Sequence, residues 1–266
     1  MNEAYELRPG RGPLLISAPH VGTQLPGELA ERLTDAGRSL VDTDWYADRL
    51  YPFARELEAG VLRARWSRYV VDLNRDPAGA SLYPGKRVTG FIPTETFEGD
   101  ALYPAGAEPG EDEAAVRKAR YFDPYHAALA EELARLRAEH GWALLVDAHS
   151  IWGRLPLLFD GDLAHVNLGT NAGRSCDPKI VDAARIAVAA SPYSVVVDGR
   201  FKGGYITRHY GDPERGVHAV QIELNQTAYL AEGSRTLWDD AKAARLSRVL
   251  NTACTAMVGY RSASMP

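Results

Sequence analysis

Two rhythms of apolar and polar positions run along the chain. Short apolar runs bounded by proline or glycine read as strands: Leu14 to Ser17 in "GPLLISAPHVG", Tyr69 to Leu73 in "SRYVVDLNRDP", Trp142 to Val146 in "GWALLVDAHS", and the segments "RLPLLFDGD", "YSVVVDG" and "GVHAVQIELNQ". Stretches with apolar residues every three or four positions read as helices. The plainest is "HAALAEELARLRAEHG", which ends a helical region beginning at Glu111, interrupted at Pro124 and closed by Gly141; "DPKIVDAARIAVAA" and Thr236 to Tyr260 follow the same period. In "DTDWYADRLYPFARELEAG", Leu50, Phe53, Ala54 and Leu57 predict a helix with Asp42 and Asp44 at its start and an end near Gly60.

Strands alternating with helices predict one α/β domain over residues 1–266, a three-layer αβα sandwich around a mixed, mostly parallel sheet covered on both faces. Residues 77–111 carry Pro77, Pro84, Pro93, Pro104 and Pro109 among many glycines, which predicts a long loop excursion able to fold over a site. Ligands collect at the carboxyl ends of strands in such sheets. His20, Asn74, Arg75, Asp147, His149 and Ser150 all fall at expected strand ends, so the topology can bring them together.

Composition narrows the chemistry. With 266 residues, 45% hydrophobic and 24% charged, the chain has an ordinary globular make-up, and a net charge of -5 offers no basic footprint for nucleic acid. No stretch approaches the roughly 18 apolar residues that span a bilayer. The opening "MNEAYELRPGRGP" is too polar for a secretion signal, so a cytoplasmic protein is expected. Two cysteines, Cys176 and Cys254, lack any C-x-x-C spacing. Any metal must therefore be held by histidine and carboxylate. His20 and His149 with Asp44 or Asp42 would leave an open position on a tetrahedral zinc, where bound water can become hydroxide. The same residues could equally be hydrogen-bonded structural histidines and a helix-capping aspartate, since no H-E-x-x-H motif marks them.

Glu223 alternates with Val220, Ile222 and Leu224, so its side chain leaves the apolar face. It reads either as an exposed strand residue or as a general base that moves a proton from water to a leaving amine. Arg68, Arg75, Lys202 and Arg208 could grip a substrate carboxylate through paired hydrogen bonds or simply be solvated. Ser150 beside His149 invites comparison with a serine nucleophile, but "DAHSIWG" lacks the G-x-S-x-G turn, and no G-x-G-x-x-G follows the first strand.

Together, "ISAPHVG", "DTDWYADRLY", "SRYVVDLNRD", "LLVDAHSI", "LFDG", "NLGTNAGRSCDP", "GRFKGGYITRHYG" and "VHAVQIELNQ" resemble the N-formylglutamate amidohydrolase (deformylase) family over about residues 12–245. The resemblance implies a zinc-exopeptidase-like (phosphorylase/hydrolase-like) fold and a metal-dependent hydrolase of a linear amide. Its substrate would be N-formyl-L-glutamate, cleaved to formate and L-glutamate at the end of histidine degradation. It places one divalent ion, zinc in expectation, on His20, Asp44 and His149. Glu223 takes the position of the catalytic carboxylate, Asn74, Arg75 and Arg208 contact substrate, and Asp147 orients a ligand histidine. Two departures stand out. Trp152 occupies a position where the family often has arginine, with Arg154 two places on, and Asn225 stands where alanine is common. These leave room for a related deacylase acting on another N-acyl amino acid. A catalytically silent amino-acid-binding protein on the same fold is the rival of another class. Nothing in the sequence speaks to oligomeric state.

Overall fold

The computed structural model describes residues 4–80, 85 and 87–264. One seven-stranded sheet organises them. Its strands are β1 (Tyr5–Arg8), β2 (Leu14–Ala18), β3 (Gly60–Ala64), β4 (Ala143–Ile151), β5 (Val166–Gly169), β6 (Val195–Val197) and β7 (Val217–Asn225). They lie in the order β1-β3-β2-β4-β7-β5-β6. β1 runs antiparallel to β3 and β5 antiparallel to β7; the other neighbours are parallel. The helices are α1 (Gly27–Arg32), α2 (Asp35–Ser39), α3 (Glu111–Arg117), α4 (Asp123–His140), α5 (Pro178–Ala189), α6 (Tyr205–Tyr210) and α7 (Asp240–Ser264).

Strand periodicity sorts the core into two layers. Leu14, Ile16, Leu144, Val146, Val220 and Ile222 face α5 and α7, among Ile180, Val181, Leu246 and Leu250. Leu15, Ala143, Leu145 and Ala219 face the other way, onto Leu129, Leu133 and Leu136 of α4. The expected three-layer sandwich with a mixed, mostly parallel sheet is the observed one. Because both faces are covered, every residue of β4 is buried.

Several local expectations fail for identifiable reasons. Instead of a helix after Asp44 there are two 3-10 turns, Ala47–Leu50 and Pro52–Ala54. Pro52 forces Tyr51 out of helical geometry, to φ -113 and ψ 46. The apolar run Tyr69 to Leu73 is a buried loop, not a strand. The Arg117 guanidinium, rather than a neighbouring strand, satisfies the Val70 carbonyl at 3.1 Å. "RLPLLFDGD" forms a turn in which Leu158 N–H donates to the Leu155 carbonyl. The helical region starting at Glu111 is not broken at Pro124. A π-helical segment, Lys118–Phe122, joins α3 to α4, and Pro124 falls in the first turn of α4, where its missing N–H costs nothing. The last helix starts at Asp240 rather than Thr236. β1, β3 and β5 were not anticipated. Among described residues, 77–110 hold no helix or strand beyond the isolated bridge Glu95↔Ala101, and part of the excursion, residues 81–84 and 86, lies outside the described residues.

β4 therefore carries the stability of both layers. Leu145 is fully buried at its centre, so Leu145→Ala is expected to cost about 2–5 kcal/mol. Chemical denaturation should show a lower midpoint with an unchanged slope.

Candidate metal centre and active site

β4 does not end at its first polar residue, as the sequence suggested, but continues through Asp147 and His149 to Ile151. Alternation places Leu145, Asp147 and His149 on the α4 side, and the register sets Asp147 beside Gln221 and His149 beside Glu223 on β7. The carboxyl ends of β4 and β7 thus present four polar side chains to one face. His20 reaches them from two residues beyond β2. Asp44 arrives on the loop whose backbone N–H donates to the His20 carbonyl at 3.0 Å.

His20, Asp44 and His149 form a buried group whose candidate ligand atoms all lie within 4.8 Å of one another. His149 Nδ1 is 3.0 Å and His20 Nδ1 3.8 Å from Asp44 Oδ2. Ligands at about 2.0–2.1 Å around a tetrahedral ion lie roughly 3.3–3.4 Å apart, so the group is compact enough to hold one after small side-chain shifts. The opposite ring nitrogens are already committed. His20 Nε2 pairs with Asp72 Oδ1 at 2.8 Å, and His149 Nε2 with Asp147 Oδ1 at 2.9 Å. At His20 the carboxylate accepts from Nε2–H and turns the Nδ1 lone pair inward, while both ring nitrogens of His149 face carboxylates, Nδ1 toward Asp44 and Nε2 toward Asp147. His20 Nδ1 is buried with no hydrogen-bond partner. An orphaned acceptor of this kind is costly unless something occupies it, and a cation is what it fits.

Charge in the cluster is strongly perturbed. Burial, helped by Arg68, lowers the His20 pKa and keeps that ring neutral. At His149 burial also opposes the charged form, but the Asp147 and Asp44 carboxylates outweigh it and hold the pKa well above the ordinary value. Burial disfavours the Asp72 anion, yet Arg68, Arg75 and His20 keep its pKa well below the usual carboxylate range. Burial pushes Glu223 up to about 8, offset in part by His149.

His20, Asp44, His149 and Glu223 line a cleft of about 590 Å³ counted to its open mouth, together with Arg68, Arg75, Arg87, Arg200 and Gln221. The excursion supplies part of the wall through Arg87, Val88, Thr89 and Phe97. Asn74 lines it too. Its Oδ1 accepts the Ile206 N–H at 2.7 Å, which leaves Nδ2 to donate to Asp147 Oδ2 at 3.2 Å. Arg75 is at the rim, bonded to the Thr89 carbonyl and hydroxyl. Arg208 is not part of the lining, and its Nε donates to the Gly203 carbonyl. Asp42 is outside the metal group and accepts the Phe97 N–H at 2.9 Å. Ser150 is engaged by Tyr229 and Gln226, away from a nucleophile's position. Glu223 is buried rather than exposed because α6 and the loop leading into it pack against β7 on the face it enters.

Sequence reasoning missed Asp72, Gln221, Arg87 and Arg200. Asp72 was the most legible of them, since it ends an apolar run just before "NR". The expected influence of Trp152 on the substrate also needs revision. Trp152 is not in the cleft lining but lies under the Arg235 guanidinium, 4.9 Å from its ring centre. Arg154 is exposed and pairs with Asp162. Asn225 accepts from Thr227 and donates to the Leu163 carbonyl, a structural task.

The fold and this cluster define an α/β protein whose strand ends carry two histidines and a carboxylate arranged to hold a metal. The profile of the N-formylglutamate amidohydrolase family matches residues 12–230, and the chain belongs to that family. It is 52% identical over 235 residues to the N-formylglutamate deformylase of Pseudomonas aeruginosa, with 87% of each chain covered. The enzyme of the same name from Pseudomonas putida is 47% identical over 233 residues, again with 87% of each covered. The crystal structure of N-formylglutamate amidohydrolase from Ralstonia eutropha JMP134 superposes with a TM-score of 0.82 at 25% identity, covering 99% of this chain and 100% of that one.

A ligating imidazole is neutral, so an ion that took His149 as a ligand would displace its proton. With that pKa raised, affinity should rise with pH and fall as the medium is acidified through neutrality. Competition against a chelator at several pH values reads this directly, and an affinity that stays flat would remove His149 from the ligand set.

Proposed function

We propose that this chain hydrolyses N-formyl-L-glutamate to formate and L-glutamate, using one divalent ion, zinc, held by His20, Asp44 and His149. The observation that carries this reading is the convergence, in one cleft, of that three-residue group, the buried Glu223 carboxyl and several arginines. Family membership supports the reaction, and the donor set, two imidazoles and one carboxylate, supports zinc. A cytoplasmic enzyme acting on a small N-acyl amino acid fits the same reading.

A bound ion supplies Lewis acidity at the formyl carbonyl and lowers the pKa of water. The protein's residues do the rest. Asp72 and Asp147 fix the two imidazoles in one tautomer and orientation. Glu223 takes a proton from the attacking water and delivers it to the departing nitrogen as the C–N bond breaks. Arg75, with Asn74 beside it, receives a substrate carboxylate. Arg87 and Arg200 add positive charge for the second carboxylate of a dianionic substrate, a task that Arg208 does not share from its place outside the lining. An apolar N-acyl amino acid would bring only its α-carboxylate to those guanidiniums.

Formate release should therefore be fastest from N-formyl-L-glutamate in a panel that includes N-formyl derivatives of neutral and aromatic amino acids; a neutral preference would move the substrate assignment. Glu223→Gln should lower kcat by about 10²- to 10⁴-fold while metal content persists, whereas a silent binding protein would show no turnover to lose. Arg75→Ala should raise KM roughly tenfold or more, the loss of a charge-assisted hydrogen bond, without releasing metal. Unchanged steady-state kinetics would take Arg75 out of the substrate site.

A further inference from the structure

The two oxygens of the Glu223 carboxyl have different surroundings. Gln221 lies two residues earlier on β7, and strand alternation puts its side chain on the same face. Its amide has a single sensible orientation. Oε1 accepts the backbone N–H of Gly204 at 2.7 Å, so the group directed at Glu223 is the Nε2 donor, 2.9 Å from Oε2. Gln221 is itself buried, at 3% exposure. Glu223 Oε1 takes no hydrogen bond among the described residues, and Glu223 lines the cleft.

The anchor behind Gln221 is rigid. A Cβ on Gly204 would meet Asn74 Nδ2 at 2.3 Å, and one on Gly169 would meet the Gly203 nitrogen at 2.5 Å, so the loop is packed backbone against neighbour. Gly203 holds φ at +104, a conformation L side chains rarely adopt. Asn171 N–H donates to the Lys202 carbonyl at 2.6 Å and ties the same loop to the end of β5. The "NLGTNAG" and "GRFKGGY" segments thus brace one wall of the cleft, and Gln221 connects that wall to Glu223.

We propose that Gln221 is a positioning residue that divides the Glu223 carboxyl, keeping Oε2 as a permanent acceptor and leaving Oε1 as the atom that carries the catalytic proton. This rests on Glu223 being the general base. Water loses a proton to Oε1 as its oxygen bonds to the formyl carbon. The C–N bond then breaks, its electron pair stays on nitrogen, and Oε1 returns the proton there. The second water proton leaves the new formic acid and is taken up by the free amine, giving formate and the ammonium form of glutamate.

Gln221→Glu tests the division, because it retains an acceptor for Gly204 N–H and, when ionised, sets a carboxylate against Oε2 in place of the donor. Its kcat should fall roughly 10- to 100-fold, the scale of one hydrogen bond to a charged group, with KM within about twofold and metal content unchanged. Gln221→Leu loses both bonds, so kcat should fall and KM should rise as Gly204 and Asn74 loosen. Wild-type kcat in Gln221→Glu, or kcat and KM shifting alike in the two variants, overturns the proposal. A second readout needs no turnover: the side-chain amide protons of Gln221, observed by NMR in glutamine-labelled protein, should exchange slowly and shift on Glu223→Ala. An amide signal indifferent to Glu223→Ala also overturns it. Absence of formate release by the wild type would instead count against the functional reading, with the NMR result still deciding the hydrogen bond.

Discussion

Asp44, Asp72, Asp147 and Glu223 are buried in one cluster, with Arg68 the buried guanidinium among them. Removing an ion from water costs several kcal/mol unless it is paired and hydrogen-bonded. The protein meets this excess of negative charge in three ways. Arg68 pairs with Asp72 at 2.6 Å, His149 keeps a proton between Asp44 and Asp147, and burial drives Glu223 toward its neutral form. Each response is partial. A divalent cation beside His20, Asp44 and His149 would balance the cluster, free the His149 proton and favour the Glu223 anion. The need for positive charge thus explains the ligand geometry and the perturbed ionisation together.

The cluster depends on the layering of the sheet. In a sheet with one solvated face, residues alternating with an apolar stripe would point into water. Here α4 covers the second face and α6 with its preceding loop packs on the carboxyl ends of β4 and β7, so Asp147, His149, Gln221 and Glu223 are enclosed. The same layering lets hydrogen bonds replace solvent around each of them, through Asn74, Thr207 and Gly204. Precision at the site thus depends on hydrogen bonds from the loops around the strand ends as well as on the strands themselves.

Legibility in the sequence followed length scale. The long amphipathic helices and the strands Leu14–Ala18 and Val217–Asn225 could be read because their periodicity repeats over enough residues to outweigh chance. Tyr69 to Leu73 misled because burial alone selects apolar side chains, and a loop capped by Arg117 buries them as well as a strand does. β1 is short and half-buried at the sheet edge, so it leaves little pattern. At the site, His20, Asp44 and His149 drew notice from residue type and strand-end position, while the family resemblance chose among the readings they allowed. Asp72 and Gln221 act through partners distant in sequence: His20 lies 52 positions from Asp72, and Gly204 lies 17 from Gln221. No local spacing encodes those pairs.

Trp152 shows how position in an alignment can mislead about chemistry. A tryptophan replacing a frequent arginine suggests the loss of a carboxylate contact. In the fold that side chain leaves the cleft and stacks beneath Arg235, which is in turn paired with Glu98. Positive charge in the cleft comes from elsewhere, through Arg68, Arg75 and Arg87 on the long connection from β3 to α3 and Arg200 on the loop after β6. In a chain of net charge -5 the cleft sets these guanidiniums beside the Asp44 and Glu223 carboxyls. On the proposed reading, selectivity for an acidic N-acyl amino acid is a property of the assembled cleft, distributed over its loops.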